Sequence, residues 1–319
     1  MGQISIFGPA MNLGQAGPSQ GRADSPAQRG RVGVRDLAER VSRAWHAEHM
    51  PDGIRVPVGV VASLAQLADI PGTGTALGAL APGTLWRLLE RVWAVRWIEQ
   101  PELAAWAAPL HDWLTIQPSP EQARSVAAVT YAALDAGLLR LTGAQDAQVR
   151  REDGPLGAVL TTLRSKGARQ ANAEEHTPSE VSELLARMTL GRDLSTSGSL
   201  CEPTAGTGGL IRAAASEAAW AGRDVRAFEW AMNDVDPLAA ASCASNALTW
   251  DLGPNVLVGC ADVLLTPDWA STARKERAQI RARHAREVAD ARALAGLRRL
   301  MAGPAPTARQ AITSSDKGD

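Results

Sequence analysis

The sequence is poor in the residues that build metal, disulfide and membrane sites. It has three cysteines, Cys201, Cys243 and Cys260, which lie far apart and match no metal-ligand spacing. An odd number of cysteines without a pairing pattern indicates reduced thiols, so we expect a cytoplasmic protein whose cysteines are small core residues. No segment approaches roughly 18 uninterrupted apolar residues, and no basic flank precedes an apolar run at the N-terminus. We therefore expect neither a membrane span nor a signal peptide.

The chain also has little excess charge and few aromatic side chains apart from tryptophan. The formal net charge is −1, so the chain as a whole has no basic footprint for nucleic acid. Aromatic residues make up 4% of the chain, and ten of them are tryptophans. For the five tryptophans between Trp86 and Trp113, packing in a helical core is favoured over a base-stacking surface. Hydrophobic residues make up 45%, which is enough for at least one sizeable core.

The distribution of glycine, proline and apolar residues divides the chain into five segments. We expect a disordered tail, a helical domain, a domain of alternating strands and helices, an Arg-rich helix and a second disordered tail, over residues 1–30, 31–150, 151–268, 269–303 and 304–319. Short apolar runs that alternate with helical patterns indicate βαβ units and a parallel sheet. The Arg-rich helix has nine Lys and Arg residues against three acids between Ser271 and Met301. A solvated helix is slightly favoured there over a contact with the DNA backbone.

A glycine-rich loop stands between a predicted strand and a predicted helix in the third segment. Its pattern is Glu202-Pro203-x-x-Gly206-x-Gly208-Gly209. A loop of this kind lets the backbone approach a ligand closely, and the following helix points free N–H groups at that ligand. The third glycine of a dinucleotide-binding loop is replaced by Ile211. A nicotinamide cofactor is therefore disfavoured.

Acidic residues follow at the ends of the next two predicted strands. Asp234 ends the second strand, where an acid can bind ribose hydroxyls, and Asp236 competes with it for this role. Asp262 ends the third strand, where a carboxylate can accept a hydrogen bond from an adenine amino group. The combination favours an adenosine cofactor without a pyrophosphate. The simpler alternatives are a tight glycine turn, a helix cap at Asp234 and an ordinary loop acid at Asp262.

These stretches resemble the adenine-specific (N6) DNA methyltransferases, in particular the modification subunit of bacterial type I restriction systems. The loop EPTAGTGG resembles the Asp-Pro-x-x-Gly-x-Gly-Gly motif of that family, and HTPSEV (176–181) resembles its Thr-Pro-x-x-Val helix. Two further stretches, DGPLGAVLTTL (153–163) and NDVDPLAAASCASNALTWDLG (233–253), resemble its Leu-Gly-x-x-Tyr helix and its later acid–proline–Asn-Leu segment. The resemblance covers about residues 153–265.

The resemblance implies an α/β fold with a partial Rossmann-like methyltransferase sheet, preceded by a helical domain and followed by a long C-terminal helix. It also implies that the chain binds S-adenosylmethionine through Thr177, Glu202, Pro203, Gly206, Gly208, Asp234 and Asp262. Glu202 would lie near the methionine end, Asp234 at the ribose and Asp262 at the adenine. His176 stands where the family often has an aromatic residue.

The family's catalytic motif, Asn/Asp-Pro-Pro-Phe/Tyr, is missing from this sequence. The chain contains no Pro-Pro dipeptide, and Thr266-Pro-Asp-Trp269 follows Asp262 too closely to replace the motif, so we interpret it as a turn. We therefore predict no catalytic residue. Three interpretations stay open. The chain methylates DNA in a restriction-modification system when a partner, such as a second methyltransferase or a specificity subunit, supplies the motif; or it is a non-catalytic S-adenosylmethionine- or DNA-binding module; or it is a truncated remnant.

Overall fold

The computed structural model describes residues 4–5, 26–48, 53–164, 177–190 and 197–301. The predicted tail over 304–319 and His176 lie outside the described residues. Nine helices form the first part of the described chain: α1 (Pro26–Ala47), α2 (Arg55–Leu64), α3 (Thr73–Gly78), α4 (Pro82–Glu99), α5 (Pro101–Trp106), α6 (Pro120–Asp135), α7 (Leu138–Thr142), α8 (Ala147–Arg150) and α9 (Pro155–Leu163). Two short 3-10 turns, Ala108–Leu110 and Asp112–Thr115, join α5 to α6.

The second part alternates strands with helices. Its elements are α10 (Ser179–Leu190), β2 (Ser199–Glu202), α11 (Gly209–Trp220), β3 (Glu229–Asp234), α12 (Pro237–Thr249), β4 (Val256–Cys260) and α13 (Trp269–Met301). The three strands form a parallel sheet in the order β2-β3-β4. This confirms an α/β architecture with a helical part before the sheet and a long helix after it. Within the predicted tail 1–30, α1 already begins at Pro26, and β1 (Ile4–Ser5) pairs in parallel with β2.

Local sequence signals explain where α6 begins and ends. The Ser119 hydroxyl accepts a hydrogen bond from the Gln122 backbone N–H at 3.1 Å, and the Gln122 side chain accepts one from the Ser119 N–H at 2.9 Å. This reciprocal cap, with Pro120 in the first turn, is the start that the sequence predicts. The sequence also predicts that this helix runs to about Gly143. It ends at Asp135 instead, because Gly137 adopts a left-handed φ of 81°.

The tryptophans of the helical part pack in its core, as expected. Trp86, Trp93 and Trp113 are buried. The indole of Trp86 donates to the Leu114 carbonyl at 3.0 Å, and that of Trp93 donates to the Ser63 hydroxyl at 2.8 Å. Because their polar N–H groups are satisfied inside the protein, these rings are not available for stacking on nucleic-acid bases.

The two faces of the sheet are covered differently. Trp230, Met232 and Val258 belong to one continuous core that also contains residues of α11, α12 and the helical part. On the opposite face, Ala231 and Leu257 pack against the start of α13. Right-handed crossovers that all run in the same direction place α11 and α12 on one face, which is why the second face is left to α13.

The long helix α13 is docked along its first half rather than fully solvated. Two half-buried tryptophans hold it: the indole of Trp97 donates to Glu287 at 2.9 Å and that of Trp106 donates to Glu276 at 3.3 Å. Arg281 forms an ion pair with Glu102, and the Arg283 guanidinium lies 4.6 Å from the centroid of the Trp97 ring. None of the helices in the described ranges is long and apolar enough to cross a membrane.

Candidate functional site

The glycine-rich loop lies where the sequence places it, between β2 and α11. Gly206 and Gly208 have φ values of 57° and 90°, a left-handed conformation that favours glycine. A Cβ atom on Gly208 would lie only 3.1 Å from the ring of Trp250, whereas one on Gly206 would meet nothing within 4 Å. Gly208 therefore packs against the core, and Gly206 leaves open space above the loop.

The two acids after β3 have different roles. The Asp234 carboxylate accepts hydrogen bonds from the backbone N–H of Gly206 at 2.7 Å and of Asp236 at 3.0 Å. Asp236 instead caps α12 by accepting from the N–H groups of Leu238 and Ala239, and it forms an ion pair with Arg164. Asp234 is thus bonded to the glycine loop, whereas Asp236, its competitor for the ribose role, is bonded to the start of α12 and to Arg164.

Asn233 ties the ends of three strands together, and the sequence analysis missed it. Its side-chain NH₂ donates to the Pro203 carbonyl at 3.0 Å and to the Ala261 carbonyl at 2.8 Å. Its buried Oδ1 has no hydrogen-bond partner within the described part of the chain. The signal for Asn233 in the sequence is a polar amide directly after the apolar run 230–232 of β3. Asp262, next to Ala261, is exposed, and its carboxylate accepts from the Leu264 N–H at 2.9 Å.

Glu202 lies beneath the loop with a buried carboxylate. The side chain is 1% exposed, and its Oε1 accepts from the Thr204 backbone N–H at 3.1 Å and hydroxyl at 3.2 Å. Its Oε2 is buried and lacks a partner among the described residues. Burial raises the pKa of Glu202, and burial also raises the pKa of Asp234. Two neighbouring carboxyls with raised pKa values are typical of functional sites.

A cavity of about 460 Å³ opens above the loop, between α1, α9 and the start of α10. Of the predicted residues, Thr177 and Gly206 line it, whereas Glu202, Pro203, Gly208, Asp234 and Asp262 do not. Its charged lining residues are two cations, Arg35 and Arg212, and one anion, Asp153. The cavity therefore suits a ligand group that carries both charges. A larger hollow of about 730 Å³ lies between α4 and α6, and no predicted site residue lines it.

Further residues that the sequence analysis missed hold the loop from below and from the side. The Asn246 side chain donates to the Thr207 carbonyl at 2.8 Å, and the Cys243 thiol donates to the Gly206 carbonyl at 3.2 Å. A Cβ atom on Gly157 of α9 would lie 2.5 Å from the Thr207 hydroxyl, so α9 also packs closely against the loop. Cys243 is fully buried, as expected for a core residue, and burial raises the pKa of its thiol well above the ordinary value. The same expectation is wrong for Cys260, which is exposed, and Cys201 is only half-buried.

Comparisons with known proteins add nothing to this geometry. No protein-family model matches the chain, and no curated protein is significantly similar to it. Within the described ranges, no cluster of His, Cys, Asp and Glu side chains has the arrangement of a metal site. The arrangement of the site can bind and orient a ligand through backbone N–H groups and carboxylates.

Proposed function

We propose that the chain binds S-adenosylmethionine over the glycine loop, as the cofactor-binding part of a DNA adenine-N6 methyltransferase. The observation that carries the proposal is the 2.7 Å hydrogen bond from the Gly206 N–H to Asp234. This bond connects Asp234, at the end of β3, to the glycine loop that follows the neighbouring strand β2. Both lie at the carboxyl edge of a parallel sheet, where α/β proteins bind ligands. The order β2-β3-β4 with both crossover helices on one face fits one half of a Rossmann-like methyltransferase sheet.

Asp234 can hold the ribose of this cofactor. A carboxylate offers about four lone-pair sites, and two of them are occupied by the N–H groups of Gly206 and Asp236. Among the described residues no other donor bonds to this carboxylate, so the remaining sites can accept from the two ribose hydroxyls. The next residue, Val235, is 62% exposed and offers an apolar surface for the adenine ring, with Asp262 at the adjacent strand end.

The cavity suits the methionine end of the cofactor. Its volume of about 460 Å³ lies within the usual range for small-molecule sites, about 300–1,000 Å³. Arg35, whose side chain is 83% exposed, can attract the α-carboxylate, and Asp153 can attract the α-ammonium group. Arg212 is buried and instead donates to the carbonyls of Arg151 and Glu152 at 2.7 Å. When bound, the cofactor supplies an electrophilic methyl group, and the residues of this chain hold and orient it.

Methyl transfer requires a polar and aromatic clamp on the target adenine, and this chain lacks the sequence motif that would supply it. The aromatic residue of Thr266-Pro-Asp-Trp269 is 5% exposed and packs against Ala231 and Leu257 under the sheet. It cannot stack on a flipped adenine without leaving the core. We therefore assign the clamp on the target base to a partner chain, with DNA as substrate. The same burial favours a second candidate function, a non-catalytic module that only binds S-adenosylmethionine.

Ligand-dependent thermal unfolding tests the cofactor. S-adenosylmethionine and S-adenosylhomocysteine should both raise the melting temperature, because a ligand that binds only the folded state stabilises it. At a free ligand concentration of 100 times Kd this stabilisation is about 2.7 kcal/mol. NAD should have no effect, since the loop lacks the third glycine of a pyrophosphate site. Stabilisation by NAD alone would contradict the assignment.

A labelled-methyl assay on mixed DNA separates the two candidates. The catalytic candidate predicts no transfer by the purified chain and transfer after cell extract from the source organism is added. Binding without transfer in both conditions supports the non-catalytic module.

A further inference from the structure

Helix α10 has a second apolar face that points away from the protein. Val181, Leu184 and Met188 are 42%, 48% and 70% exposed, and their spacing puts them on one side of the helix. The buried residues Ser182, Ala186 and Leu190 lie on the opposite side, where α10 packs along α11. A surface helix normally has a single apolar stripe, so the outer stripe of Val181, Leu184 and Met188 calls for a partner.

Residues 165–176 and 191–196 flank the helix in sequence, and Leu194 is the only large apolar residue in them. The pairs Glu183–Arg212 at 3.8 Å and Arg187–Glu217 at 3.5 Å show that α10 and α11 run in the same direction. Trp220, which is 77% exposed and ends α11, therefore lies at the same end of the helix pair as Met188.

The charges beside the stripe are complementary to a second copy of the same helix. Glu180 and Arg187 lie seven residues apart along one edge of the stripe. The Arg187 side chain is 68% exposed even though it contacts Glu217. In an antiparallel pair related by a twofold axis, identical edges meet, so Glu180 of each copy faces Arg187 of the other. In the same register Leu184 meets its own copy, and Val181 meets Met188.

We propose that the outer stripe of α10 is a homodimer surface on which two copies of the chain pack antiparallel. The Leu184 contact then lies on the twofold axis, and the axis generates two Val181–Met188 contacts and two Glu180–Arg187 ion pairs. Thr177, two residues before α10, lines the cavity, so the proposed interface lies next to the cavity of each copy. The proposal does not depend on which ligand the cavity binds.

Sedimentation velocity on the full chain over a range of concentrations tests this surface. The wild-type chain should sediment as a dimer, and Leu184→Asp should make it a monomer. Leu294→Asp, on the exposed side of α13, is the matched control and should leave the dimer intact, because Leu294 is also exposed (59%) but lies outside the surface.

Charge reversal tests the register and does not depend on any change in the core. Glu180→Arg or Arg187→Glu alone should raise the dimer dissociation constant about tenfold, because each change makes two pairs repulsive. The double variant E180R/R187E should bind more tightly than either single variant, because its two interchain pairs are attractive again. A wild-type chain that stays monomeric at every concentration overturns the proposal. So does a double variant no tighter than the singles, or a dimer that Leu184→Asp leaves unchanged.

Discussion

At the residue scale, Glu202 lies under the loop that is proposed to bind the cofactor, and its buried carboxylate destabilises the folded state. One of its carboxylate oxygens is buried without a partner among the described residues, and burial raises its pKa. A group whose pKa is raised by folding contributes stability below its unfolded pKa, and that contribution is lost as pH rises through the folded pKa. At neutral pH the ionised form of Glu202 therefore disfavours the folded state.

Glu202→Gln should increase the free energy of unfolding at pH 7.5, by about 1 kcal/mol, because it removes a buried charge and keeps the acceptor for Thr204. The gain should shrink towards pH 3, below the pKa of an unfolded glutamate of about 4.3, because the Glu202 carboxyl is then largely neutral in both the folded and the unfolded state. Urea unfolding at the two pH values measures this difference. The exposed Glu90→Gln is the control. An equal gain at both pH values would show that the charge of Glu202 is not its cause.

At the scale of single elements, the loop and its helix depend on one left-handed glycine. Gly208→Ala should cost about 1–3 kcal/mol, because a side chain at φ 90° is strained and its Cβ would lie 3.1 Å from the Trp250 ring. Gly209→Ala is the matched control: a Cβ there meets nothing within 4 Å, and its backbone is helical. Denaturant unfolding compares the two. Similar losses for both would contradict the close packing of the loop on Trp250.

The same scale shows what the sequence can predict. Strand, glycine loop and helix follow one another within a few residues, so local pattern suffices, and the Ser119 cap is equally local. The different roles of Asp234 and Asp236 could not be predicted, because two acids only two residues apart at the end of a strand carry the same local signal. Only the contacts with Gly206 and Arg164, which are distant in sequence, distinguish them.

At the scale of the whole molecule, the helical part and the sheet share one core, and polar contacts join them. The Gln66 side chain, just after α2, donates to the Ser245 hydroxyl of α12 at 3.2 Å, and Arg150 donates to the Thr249 carbonyl at 2.5 Å. The sequence predicts these as separate domains and α13 as a solvated helix. The contacts that join them, such as Trp97 with Glu287, span 190 residues and leave no local signal.

Calorimetric titration with S-adenosylmethionine tests the central claim most directly. The wild-type chain and Asp36→Ala, which removes an ion pair with Arg40 on α1 and does not line the cavity, should bind one cofactor per chain. Asp234→Ala should lose this binding, because it removes the proposed ribose acceptor and the bond to Gly206. No binding by the wild-type chain, or equal affinity in Asp234→Ala and Asp36→Ala, would contradict the assignment of the site.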